Sequence, residues 1–182
     1  MTPIPQAAAW FVSAVLVMAA IIDGRELRVP NWLTFPLAIA GLVFATAIGG
    51  AGGLLWGLAG LALGLALLLP LHAIGGMGAG DVKLLAAVGA WVGPATTLGA
   101  FVVTGLVGGL MAAAMIVASG SHRRHTAQFA AITREIVTIH DPVKLSEIAA
   151  ARKPSMRLLP YGIPLAVGSI AYFAYLGLLG SF

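Results

Sequence analysis

Apolar residues fill this chain in long runs, divided by short polar or glycine-rich breaks. The runs fall at approximately 5–22, 32–49, 54–74, 82–93, 95–118 and 158–180. A helix needs about 20 such residues to cross roughly 30 Å of hydrocarbon at 1.5 Å per residue. All but one of the runs come near that length. The fourth, 82–93, supplies only ~18 Å of helix before Gly93–Pro94 breaks it. Reading 82–118 as one helix errs the other way, at ~55 Å. The pattern therefore predicts an all-α polytopic membrane protein with six transmembrane helices, the fourth short and partly sunk among its neighbours. No second domain is visible, so residues 1–182 read as one membrane-embedded unit.

Composition agrees. Hydrophobic residues make up 60% of the 182 positions and charged residues only 9%, against a usual charged share of about 25%. The net charge is +4. In a soluble protein that would hint at nucleic acid, but no aromatic residues interleave with the basic ones as in single-strand binders. Nucleic acid is thus not an expected partner, and the lipid bilayer is. There are no cysteines, which excludes disulfides, thiolate metal sites and a cysteine nucleophile.

Charge placement sets the expected orientation. With the N-terminus outside, the cytoplasmic segments are 23–31, 72–83 and 119–157. All 10 Lys and Arg residues and all 6 acids fall within them. The outer turns around 49–53 and 93–95 carry no charge, which satisfies the positive-inside rule and puts both termini outside. The first apolar run has no basic residue before it, so it reads as a retained span and not a cleaved signal. In the cytoplasmic loop 119–157, Phe129, Ile132, Ile136 and Ile139 recur at helical spacing before Asp141–Pro142. This predicts an amphipathic helix lying on the membrane or on the protein's own cytoplasmic side. Gly53, Gly57, Gly60 and Gly64 in the third span, and Gly105 and Gly109 in the fifth, predict close helix packing.

Ionisable groups at membrane depth call for an explanation. Asp23 ends the first span in IIDGRELRVPN, and Asp81 opens the fourth in GAGDVKLL. The topology puts both at the cytoplasmic end of their helices, where a small bundle can bring them face to face. Two facing carboxylates are the minimum equipment of an aspartic protease. One takes a proton from water while the other donates to the scissile carbonyl, and no metal or organic cofactor is needed. The pair titrates as one coupled unit. Gly78 and Gly80, just before Asp81, admit backbone angles closed to other residues and would let a substrate backbone come near or act as a hinge.

The stretch GMGAGDVKLLAAVGAW resembles the GxGD signature of the prepilin peptidases, membrane aspartic proteases that trim type IV pilin leaders. DGRELRVPN is similar to that family's other aspartate segment through Asp23, Val29, Pro30 and Asn31, and PYGIPLA (160–166) to the start of its last span. The resemblance runs in order along nearly the whole chain. It implies catalytic roles for Asp23 and Asp81, with Gly78 and Gly80 as signature glycines. It also implies cleavage of short basic leaders, usually after a glycine, at the cytoplasmic face of the inner membrane. Larger members carry an extra cytoplasmic domain with paired cysteines and also methylate the new N-terminus. This chain has only eight residues between Asp23 and Trp32 and no cysteine. It resembles the short, peptidase-only form of tight-adherence (Flp-type) pilus systems, so methylation is not expected and pilus assembly proteins are possible partners.

The remaining polar residues have plainer readings. Lys83 fits phospholipid binding by snorkelling better than tuning of Asp81. Pro30 and Asn31 fit the turn that starts the second helix. With Gly78, Gly80 and Lys83 they are candidates for substrate binding or support of the site. Glu26 lies between two arginines and reads as paired or solvated. His122 and His125 lack a third ligand, so no metal site is expected. His72 reads as an interfacial or packed histidine. The glycine run does not follow a strand and lacks the Walker spacing, which excludes a nucleotide loop. The competing functions are an ion-coupled carrier, whose acids normally relay protons, and a non-catalytic scaffold of a pilus machine.

Overall fold

The computed structural model is all-helical among the described residues, which are 4–73, 77–119 and 160–180. The amphipathic helix expected within 119–157, and His122 and His125, lie outside them.

Helix α1 is Gln6–Glu26. The stretch Asn31–Ala73 is helical throughout except at Gly50, whose φ of 57° and ψ of −142° interrupt it. Its halves, 31–49 and 51–73, are termed α2 and α3. Ala79–Ser119 is broken in the same way at Gly93, with φ 70° and ψ 178°, giving α4 (79–92) and α5 (94–119). Helix α6 is Gly162–Tyr175. Both breaks need a positive φ that only glycine adopts without strain. Pro94 then starts α5, where its missing N–H costs nothing, and the Thr97 hydroxyl donates to the Gly93 carbonyl at 2.6 Å. Helix α6 stops earlier than the apolar run suggests. Gly177 takes φ 69°, and the N–H groups of Gly177 and Leu178 return to the carbonyls of Ala174 and Phe173, a Schellman ending.

The chain reverses at Gly50. A Cβ on Gly53 would collide with the carbonyl of Ala45, and one on Gly57 would lie 3.2 Å from the Ala45 Cβ. Helices α2 and α3 thus form an antiparallel hairpin. The expected glycine face of α3 is real and its partner is α4. Gly60 and Gly89 lie backbone against backbone, Gly64 meets Leu85 and Ala86, and Gly57 meets Ala90. Small residues permit this approach, and dispersion rewards it. The short α4 is buried on every side from Leu84 to Val92, as an all-round apolar helix should be. Trp91 locks its far end. Its Nε1 donates to the Leu37 carbonyl at 2.8 Å, and its ring packs between Phe11 of α1 and Phe44 of α2.

One packing expectation fails. A Cβ on Gly105 or Gly109 would meet open space. The contact face of α5 lies one residue earlier, where Thr104 packs on Gly168 and Gly108 faces Tyr161 and Pro164. Spacing alone identified a small-residue face without telling which side of the helix α6 occupies.

The helical stretches Gln6–Glu26, Asn31–Ala73 and Ala79–Ala118 are each long and apolar enough to cross a membrane. Their outer faces carry exposed apolar side chains such as Ile39, Val43, Leu55 and Leu106, the pattern a lipid solvent requires.

Gly60→Val should therefore lower the thermal midpoint in detergent, at an overpacking cost of about 1–3 kcal/mol. Gly105→Ala should leave it unchanged. Equal behaviour of the two variants in a detergent melt would contradict the α3–α4 contact.

Candidate active site

Both sequence-predicted acids lie at one end of the bundle and are buried, Asp23 at 3% exposure and Asp81 at 6%. They are close enough for Asp23 to act electrostatically on Asp81. Each is placed by a different device.

Asp23 sits in the last turn of α1. Leu27 closes that turn in the left-handed region, φ 53°, its N–H donating to the Asp23 carbonyl at 2.8 Å. The Asp23 carboxylate points to the start of α6, where Oδ2 accepts a hydrogen bond from the Gly162 N–H at 2.7 Å. A Cβ on Gly162 would stand 2.9 Å from both the Asp23 Cβ and Oδ2, so only glycine lets the helix end come this close. The first N–H groups of a helix have no intrahelical acceptor, and a carboxylate there gains from the macrodipole as well.

Asp81 lies in the first turn of its own helix, α4. Its N–H donates to the Gly78 carbonyl at 3.2 Å, and its carboxylate receives a backbone hydrogen bond from Gly78. A Cβ on Gly78 would lie 3.0 Å from Asp81 Oδ2. Asp81 Oδ1 is buried and has no hydrogen-bond partner among the described residues.

Of the two uses expected of Gly80, the contacts fit support of the site. A Cβ there would lie 2.7 Å from the Val29 carbonyl oxygen and 3.0 Å from the Val29 Cβ. The space over Gly80 is thus filled by the protein's own α1–α2 turn, not left for a substrate. This contact ties the two aspartate segments together. Pro30 and Asn31 open α2 as expected, and the Pro30 carbonyl accepts from the N–H groups of Leu33 and Thr34. Lys83 is not simply a lipid-facing ammonium. Its Nζ donates to Asn31 Oδ1 at 2.9 Å and sits 5.3 Å from the Phe35 ring centroid, a second link between the segments.

Glu26 pairs with Arg28 at 3.1 Å in the open, in line with its sequence reading. His72 Nδ1 lies 3.0 Å from the Met77 carbonyl, which can only accept, so Nδ1 carries the proton and the ring is packed.

Two residues of this end were absent from the sequence-predicted site. Gly162 holds Asp23, and Tyr161, half-buried, lies within electrostatic reach of Asp81. The paired prolines of PYGIP signal a helix start. Nothing local says that this helix start faces a carboxylate 139 residues away.

Comparison with known proteins fits this geometry. The model of the type IV leader peptidase family matches residues 10–113, more than half of the chain. This protein belongs to the type IV leader peptidase family. A prepilin leader peptidase/N-methyltransferase of Aeromonas hydrophila is 34% identical over 123 residues, which is 64% of this chain and 42% of that protein. One from Neisseria gonorrhoeae is 35% identical over 118 residues, 61% of this chain and 41% of that protein. The chain thus matches about two fifths of the length of these relatives. No solved structure matches it. The matched span includes Asp23, Gly78, Gly80 and Asp81 and stops short of Gly162.

Replacing Gly162 should expose the coupling to Asp23. Gly162→Ala should cost about 1–3 kcal/mol through the clash, and most of that cost should vanish in an Asp23→Gly background, which removes the Asp23 Cβ as well as the carboxylate. A double-mutant cycle by detergent unfolding measures this. Additive effects would mean that the two residues do not press on each other.

Proposed function

We propose that this protein is a membrane aspartic endopeptidase that removes the short basic leader from type IV, Flp-type prepilins and pseudopilins. The observation that carries this reading is the pair of buried carboxylates, from segments far apart in sequence, set at one end of the bundle within electrostatic range of each other. Each is met by a helix N-terminus, α6 for Asp23 and α4 for Asp81. Family membership supports the same chemistry.

In this reading the ionised acid takes a proton from water as its oxygen attacks the scissile carbonyl carbon. The protonated acid donates to the carbonyl oxygen, giving a neutral tetrahedral diol. Collapse breaks the C–N bond, and a proton passes to the leaving nitrogen. The dyad shares one proton between two sites, and its titration belongs to the pair. Asp23 Oδ2 is committed to Gly162. Asp81 Oδ1 is buried with no protein partner among the described residues, which leaves its hydrogen-bonding capacity for the reacting groups.

The proposal includes six membrane passages in the inner membrane, with both termini on the non-cytoplasmic side. The positive-inside pattern supports it, as do the reversals at Gly50 and Gly93. Substrate then enters sideways as a membrane-anchored helix, and its leader junction meets the dyad near the cytoplasmic surface. The second activity in the relatives' names is not carried over. Only residues 27–30 separate α1 from α2, which leaves no room there for an inserted domain, and the chain has no cysteine. A carrier would place its acids near the membrane midplane, whereas both acids here lie at helix ends.

Co-expression with a tagged Flp-type prepilin tests the reading. Wild type should produce a mobility shift, and Asp23→Asn and Asp81→Asn, at equal membrane levels, should produce none. Mass spectrometry of the product should find an unmethylated N-terminus. A shift that survives either substitution would remove that aspartate from the catalytic pair. No shift with any form would favour the scaffold or carrier.

A further inference from the structure

We propose that the cleft at the α1–α2 turn is the subsite that receives the leader, with Glu26 selecting a basic side chain in it; this rests on the peptidase reading above. The cleft encloses about 540 Å³ and is lined by Ile22, Glu26, Arg28, Val29, Asn31 and Trp32 among others. Pockets that hold ligands span roughly 300–1,000 Å³.

Its position carries the argument. Ile22 precedes Asp23 in the chain. Val29 packs on Gly80, which precedes Asp81. The cleft therefore borders both aspartate segments at the end of the bundle where they meet. A substrate with its apolar helix in the bilayer and its scissile bond at the dyad must send its leader past this end.

Its chemistry fits a basic peptide. Glu26 is the one carboxylate among the described residues besides Asp23 and Asp81, and it lines the cleft. Its partner Arg28 is exposed and held by a single contact of 3.1 Å. Exposed pairs of this kind are weak, so an arriving ammonium or guanidinium can exchange with Arg28. Trp32 is 63% exposed and offers an indole face to the incoming cation. Val29 and Pro30 offer apolar surface to its aliphatic stem. Arg28 also lines the cleft, so an anionic lipid headgroup is the competing occupant that the test separates.

The test uses the full chain in nanodiscs of neutral phosphatidylcholine, with a labelled lysine-containing leader peptide and its glutamate-substituted counterpart. Wild type should prefer the lysine peptide by about five- to tenfold. Glu26→Gln should level that preference and Glu26→Lys should invert it. Binding should also shift Trp32 emission, a signal lost in Trp32→Phe. An unchanged preference in Glu26→Lys overturns the subsite, as does displacement of the lysine peptide by phosphatidylglycerol at constant ionic strength. Prepilin cleavage is assayed in parallel. Cleavage with Glu26-independent peptide preference overturns the subsite and leaves the peptidase standing. Glu26-dependent binding without cleavage by any form upholds a basic-peptide subsite and overturns the peptidase.

Discussion

The hydrogen bond from Gly162 to Asp23 is the constraint on which the arrangement depends. A buried carboxylate without donors costs several kcal/mol, and few donors exist at the edge of a bundle whose helices already use their own. Helix N-termini are the exception, because their first N–H groups are spare. The fold spends two of them on its two acids. Asp81 takes the start of its own helix, which requires nothing from elsewhere. Asp23, at a helix C-terminus, has the worst local dipole for an anion and must borrow an N-terminus from α6. The last described helix thus has to return beside the first, and its leading residue has to be a glycine.

The second acid depends on packing. Asp81 is placed by α4, a helix too short to find its depth from hydrophobic length alone. Gly57, Gly60 and Gly64 of α3 fix it by meeting its backbone, and Trp91 pins its far end to α1 and α2. Val29 on Gly80, and Lys83 on Asn31, then hold the two aspartate segments in register. An error in any one of these contacts moves a carboxylate, so glycines far from the two acids are part of the candidate site's geometry.

Much of this was legible in the chain because each feature had a local cause. The apolar runs placed the helices, and Gly93–Pro94 announced the break after α4. The excess of charge at one set of loops put Asp23 and Asp81 on the same side. What stayed hidden depends on which helix lies next to which. Gly105 and Gly109 have the same spacing as the α3 glycines, yet they face open space. Lys83 looks like any interfacial lysine until Asn31, 52 residues away, is seen to hold it. Gly80 reads as room for a substrate until Val29 is found in that room. Gly162 carries no local mark of the acid it serves.

The glycine pair of the GAGD segment shows why a short motif can be demanding at both positions for unrelated reasons. Gly78 keeps side-chain atoms away from the Asp81 carboxylate, and its backbone donates to it. Gly80 admits the neighbouring turn. The first condition is about the acid itself and the second about bringing the other acid's segment beside it. A single Cβ at 78 would crowd the Asp81 carboxylate. A single Cβ at 80 would push the α1–α2 turn, and with it the cleft that borders Asp23. The two glycines therefore protect different halves of one site, so substitutions at 78 and 80 need not fail in the same way even though the residues lie in one turn.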